Sequence, residues 1–144
     1  MNQIALMDTT AFEALAAEEL PITAILGITV LEIQPGFARL RLAGDERCAR
    51  PGPANSGPAI TGPALFALAD VAMYAAILGA VGPERMAVTT GLNINFLRMA
   101  PLAPVIGEAR VMKLGKKLVY LDVAIRPEAG GDVIAHATGT YARP

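Results

Sequence analysis

Residues 62–80 read GPALFALADVAMYAAILGA. Ala and Leu dominate, and no Gly or Pro interrupts the run between Pro63 and Gly79, which is the composition of a good helix former. Thr61 is placed to cap the N-terminus, Pro63 suits the first turn, and Gly79 and Gly82 supply the stop signal. Apolar residues occupy every side, so the run predicts a helix buried all round. Roughly 19 residues is also the length of a membrane span. A charged residue at mid-membrane is expensive, however, and the rest of the chain is amphipathic, so a core helix is the reading adopted.

The flanks say what packs on that helix. Upstream, Thr10-Ala11-Phe12-Glu13 has capping-box spacing and predicts a short N-terminal helix over 11–20, ended by Pro21. In ILGITVLEIQPGFARLRLAG, Ile28, Val30 and Glu32 alternate with Thr29, Leu31 and Ile33. After Pro35-Gly36, Phe37, Arg39 and Arg41 alternate with Ala38, Leu40 and Leu42, giving two strands joined by a turn. Residues 43–60 carry Pro51, Gly52, Pro53, Gly57 and Pro58 and show no periodicity; they read as a long ordered loop or lid. Downstream, MAVTTGLNINFLRM, VIGEARVMKLG, LVYLDVAIRP and VIAHATGTYAR read as four strands, punctuated by Pro101, Gly115-Lys116-Lys117 and Pro127–Asp132. The order α-β-β-α-β-β-β-β predicts an α+β layer, an antiparallel sheet wrapped on one buried helix, in a single domain over 1–144.

Composition narrows the function. Of 144 residues, 53% are hydrophobic and 17% charged, and twelve Lys+Arg oppose thirteen Asp+Glu. Disorder is excluded, and no basic excess points to nucleic acid. One Cys, Cys48, leaves no intramolecular disulfide or Cys cluster, and it reads as an incidental thiol. One His, His136, disfavours a Ser-His-Asp triad and a His-rich metal site. No metal, cofactor or membrane partner is expected. MNQIALMDTT lacks a basic n-region and a clear cleavage site, so a cytoplasmic setting is the expectation. So apolar a small chain predicts burial between subunits, and a homo-oligomer follows.

Asp70 is the only charge between Arg50 and Glu84. An ionised carboxylate in an apolar helix costs several kcal/mol unless it is paired or hydrogen-bonded. Bonding to a neighbour with no chemistry is one reading of it. The other is that a carboxylate stripped of water acts as general base or nucleophile near neutral pH. The helix start adds backbone N–H groups with no intrahelical acceptor, and Gly62 admits a close approach, so its N–H can polarise a carbonyl. Gly62 and Asp70 are eight residues apart, about 12 Å along the helix. One helix cannot bring both to one carbon. Two antiparallel copies can, which predicts a two-fold dimer with sites at its interface.

These residues resemble the PaaI-type thioesterases of the hotdog superfamily, from the LGITVLEIQPGFARLRL hairpin to the final TGTYAR. Members carry an Asn, then His-Gly-Gly, then Leu-Ala-Asp on the helix. Leu68-Ala69-Asp70 matches the last, Gly62 the first Gly and Asn55 the Asn; Thr61 stands where the family has His, and Pro63 replaces the second Gly. The resemblance implies a hotdog fold, a curved antiparallel sheet around one long central helix, and hydrolysis of an acyl-CoA thioester. It implies that Asp70 activates water or attacks the thioester carbon, that Gly62 N–H of the second subunit polarises the carbonyl, and that Asn55 positions water or Asp70. Thr89, in VTTGLNINFLR, falls near a family position bearing a hydroxyl.

Thr61, Tyr74, Arg98 and Lys116 are candidate substrate-binding residues. Thr61 has a competing role as helix cap, and Tyr74 as core. Arg98 and Lys116 suit CoA phosphates or a solvated turn equally. A non-catalytic acyl-CoA binding protein is the alternative. A hotdog hydratase is disfavoured, because it commonly needs a His and His136 sits late in a strand. The acyl group and the choice of homodimer or homotetramer are not legible.

Overall fold

A computed structural model describes residues 4–144; of the N-terminal stretch, Met1–Gln3 lie outside it. The chain order is α1 (Thr9–Glu19), α2 (Ile22–Leu26), β1 (Ile28–Gln34), β2 (Phe37–Leu42), β3 (Ala49–Arg50), β4 (Ala59–Ile60), α3 (Gly62–Val81), β5 (Val88–Phe96), β6 (Val105–Leu114), β7 (Leu118–Pro127) and β8 (Ala135–Ala142). Six strands form one antiparallel sheet in the order β1-β2-β6-β7-β8-β5. It wraps α3, and this is the hotdog arrangement. Inward positions alternate down β2 and β7: Ala38, Leu40 and Leu42 on β2, and Val119, Leu121, Val123 and Ile125 on β7, are closed to solvent against Leu68, Met73, Ile77 and Leu78 of α3.

Several expectations need correction. The first helix starts at Thr9 because Asp8, not Thr10, is its cap; the Asp8 carboxylate accepts from Ala11 N at 2.9 Å. Pro21 ends that helix but opens α2, whose C-cap Gly27 sits at φ +77°. In β1 a bulge between Val30 and Glu32 breaks the alternation. Ile33 therefore joins Ile28 and Val30 on the core side, and Glu32 turns outward to meet Arg39 at 3.1 Å. Residues 43–60 are not all loop: a 3-10 turn over Glu46–Cys48 and the short β3–β4 ladder close them into an excursion.

The helix is long and apolar enough to cross a bilayer, with mean hydropathy 2.0, yet 72% of that window is buried inside the fold. It is not buried all round. Pro63 and Phe66 are exposed, and Ala67 and Asp70 only half-covered, because the sheet wraps the helix on its other sides. Gly79 does not stop α3, which runs on to Val81 and is capped by Gly82.

Gly79 instead permits contact. A Cβ there would stand 2.6 Å from Gln34 O and 2.6 Å from Ile33 Cγ2 on β1. Ala normally gains about 1 kcal/mol over Gly within a helix. Here overpacking against backbone costs about 1–3 kcal/mol and reverses the sign. Gly79→Ala is expected to lower the urea midpoint; a midpoint at or above wild type would show that α3 does not lie this close to β1.

Candidate active site

Asp70 projects from the open side of α3, where the sheet's inner face supplies two hydroxyls. Thr89 Oγ1 donates to Asp70 Oδ1 at 2.8 Å, and Tyr141 OH to the same oxygen at 2.5 Å. The Tyr141 oxygen also lies 3.0 Å from the Asp70 backbone carbonyl. Neither side-chain bond falls on Oδ2. Thr89 and Tyr141 are register partners across β5 and β8, so one cross-strand pair delivers both groups. A bulge between Thr89 and Gly91 follows directly, and bulges re-aim side chains.

The approach of α3 to β8 rests on Gly139, where a Cβ would stand 2.6 Å from Met73 Sδ. The Tyr141 ring is fixed by stacking on Tyr74, with centroids 6.3 Å apart and planes 16° apart. Tyr74 in turn meets Phe12 of α1 edge-on at 5.9 Å, and its hydroxyl donates to Arg85 O at 2.7 Å. Only 4% of Tyr141 is exposed. Burial, with the Asp70 carboxylate beside it, holds its phenol well above the ordinary range.

Asp70, Thr89, Tyr74 and Tyr141 line a cavity of about 610 Å³ whose further walls are largely apolar, including Ile22 and Met86. Arg85 at its edge is paired with Glu19 at 2.8 Å.

Gly62 belongs to a different cavity, of about 670 Å³, which it shares with Arg50, Phe96 and Arg98. Its own cavity neighbour Phe96 comes within 3.2 Å of where a Gly62 Cβ would be. One chain thus separates Gly62 from Asp70, as the helix length requires. Thr61 caps α3, its Oγ1 accepting from Ala64 N at 3.4 Å. Asn55 is exposed on the 43–60 excursion at φ +69°. Ser56 N donates to Pro53 O at 3.0 Å, so Asn55 occupies the turn position that favours Gly or Asn. It does not reach Asp70 within the chain. Arg98 donates to Val133 O at 3.0 Å and lies 3.4 Å from Asp132. Lys116 is exposed in the β6–β7 turn, at the end of the sheet that carries Thr89 and Tyr141 but outside their cavity.

The outer face holds His136, whose Nε2 lies 3.0 Å from Asp122. Cys48 is buried, and burial pushes its thiol up. Among the described residues no three His, Cys, Asp or Glu side chains gather to hold a metal ion.

Tyr141 is the residue that sequence reasoning missed. Its signal was present: in VIAHATGTYAR it alternates with His136, Thr138 and Thr140 and joins Ala135, Ala137 and Gly139 on the core side. A buried tyrosine hydroxyl needs a polar partner, and the core helix offers one charge.

The thioesterase superfamily profile matches residues 58–134. A protein from Saccharolobus solfataricus assigned as an esterase is 30% identical over 129 residues, 90% of this chain and 80% of its own. A structure from a Silicibacter species, assigned as a thioesterase, superposes with TM-score 0.84 at 32% identity, over 97% of this chain and 94% of that one. A variant of the phenylacetic acid degradation protein PaaI from Thermus thermophilus superposes with TM-score 0.72 at 26% identity, over 86% and 99%.

The buried phenol carries a stability consequence. The folded chain keeps the Tyr141 proton at pH values where the unfolded chain has lost it. Its contribution is whole below about pH 10 and is lost as pH rises beyond that. The urea midpoint is expected to fall between about pH 9 and about pH 11, and less steeply in Tyr141→Phe. Equal slopes would mean that Tyr141 is not held neutral by the fold.

Proposed function

The chain belongs to the thioesterase superfamily, as a hotdog protein of the PaaI type, and we propose that it hydrolyses acyl-CoA thioesters at sites shared between two copies. The observation that carries this reading is Asp70 on the open side of α3. It is held through Oδ1 by Thr89 and Tyr141, and it faces a largely apolar cavity. That cavity suits an acyl group, with Tyr74 in its wall.

In this reading Asp70 is general base or nucleophile, and Thr89 positions it. Gly62 N–H of the second copy stabilises the carbonyl oxygen as negative charge develops there. Thr61 stands in the place of the family His and caps the helix, so the helix start is ordered without it. Pro63 has no N–H to give, but it leaves the Gly62 N–H in place. Asn55 of the second copy orders the attacking water or the carboxylate. Arg98 and Lys116 offer cations to the CoA phosphates.

Assembly is supported by where the apolar surface lies. β5 is an edge of the sheet, and Val88, Phe96, Leu97 and Met99 on and beside it are each about half exposed. Phe66 is exposed on the adjoining side of α3. A copy laid antiparallel along this surface covers these groups and brings its own Gly62 towards Asp70. We read the whole chain, 1–144, as one hotdog domain of a cytoplasmic homodimer or homotetramer.

Free-thiol release from a panel of acyl-CoAs, short to long and aryl, tests the activity. Asp70→Asn is expected to lower turnover about 10²- to 10⁴-fold with an unchanged urea curve. Unchanged turnover would remove Asp70 from the chemistry. Tight acyl-CoA binding with no turnover on any member would make the chain a binding protein.

Shared sites have their own signature. Gly62→Pro removes the N–H while Pro remains compatible with the first helical position. Alone, Gly62→Pro and Asp70→Asn are each expected to be nearly inactive. Mixed oligomers of the two carry one intact site per hybrid pair and are expected to regain activity. No recovery on mixing would overturn the shared site.

A further inference from the structure

We propose that Tyr141 is a positioning residue that fixes which oxygen of Asp70 reacts. The role rests on the thioesterase reading and goes beyond it, because that reading gives Tyr141 no part. Its hydroxyl lies within bonding distance of two acceptors, Oδ1 and the backbone carbonyl, and both belong to Asp70. A phenol has one proton to donate. That proton is committed to Asp70 in either orientation, so Tyr141 is not free to protonate a leaving group or to hold the substrate oxyanion.

A carboxylate on a helix rotates about its last side-chain bond, and that torsion is broad. Thr89 alone leaves Oδ1 with one donor on a solvent-accessible strand edge. Tyr141 adds a second donor from a ring that cannot move: it is buried, stacked on Tyr74, and Tyr74 is braced by Phe12 and Arg85. With Oδ1 doubly bonded, Oδ2 is the oxygen left for chemistry. Acting as base, Oδ2 takes a proton from water as the water oxygen bonds to the thioester carbon. The C–S bond then breaks, and the proton passes to the departing sulfur, giving the free acid and the CoA thiol.

Tyr141→Phe keeps the stacked ring and the Thr89 bond and removes only the hydroxyl, so the fold is retained; a urea curve checks this. On the best acyl-CoA, kcat is expected to fall about 10- to 100-fold, the size of one lost hydrogen bond to a charged group, with KM changed by less than about 2-fold. In the Asp70→Asn background the same change is expected to add less than about 2-fold, because Tyr141 acts through that carboxylate. Thr89→Val, which removes the other donor from the same oxygen, is expected to lower kcat in the same sense, and the double variant to depart from additivity.

A raised KM with unchanged kcat, an unchanged kcat, or an equal loss in the Asp70→Asn background would each overturn the role. Failure of wild type to turn over any acyl-CoA is a separate result: it defeats the thioesterase reading, and the role falls with it.

Discussion

A carboxylate at the middle of an apolar helix must be satisfied, and much of this architecture follows from how that is done. Among the described residues Asp70 finds no cation. It finds two neutral hydroxyls, from Thr89 and Tyr141, both on one oxygen. Neutral donors stabilise the charge without cancelling it. An Arg in the same place would have made an ion pair and taken both oxygens in a bidentate fork. To bring the hydroxyls in, α3 must lie close on β8, which Gly139 allows, and β5 must present Thr89 inward, next to a bulge.

In the proposed reading the chain carries two halves of a shared site. Asp70, Thr89, Tyr74 and Tyr141 surround one cavity; Gly62 opens onto another with Arg50 and Arg98. The spacing along α3 keeps them apart in a single copy, and the uncovered side of that helix lies between them. The exposed edge β5 and the half-exposed apolar residues near it occupy the same side. The proposed pairing uses one surface for both purposes: it covers apolar groups and joins the halves.

Much of the fold was legible because its signals are local. Period-two alternation gave the first two strands, turn residues marked off the four later ones, and the Ala- and Leu-rich run gave α3 with Thr61 as its cap. What was lost depends on non-local geometry. The β1 bulge is a one-residue shift, and it moved Ile33 inward and Glu32 outward. The short α2 lies in a stretch too brief to show a period. The buried-all-round reading of α3 failed because apolarity does not say whether sheet or another chain covers a given side. At the site, Asp70 stood out as a lone charge and Gly62 as a helix start. Thr89 entered through a resemblance, and the structure puts it on Asp70. Tyr141 was passed over because one tyrosine on an alternating strand reads as core until the helix is laid against it. Asn55 is accounted for by its turn within the chain, and the catalytic part proposed for it needs a second copy.

The bare edge of β5 also bears on how the protein is made. A freshly folded single copy shows a row of unpaired N–H and C=O groups flanked by Val88 and Phe96, a template on which any extended chain can add a strand. While that edge is bare, strand addition by other chains competes with the proposed pairing, and it grows with concentration. Under the proposed pairing, a partner copy seated along β5 removes that template.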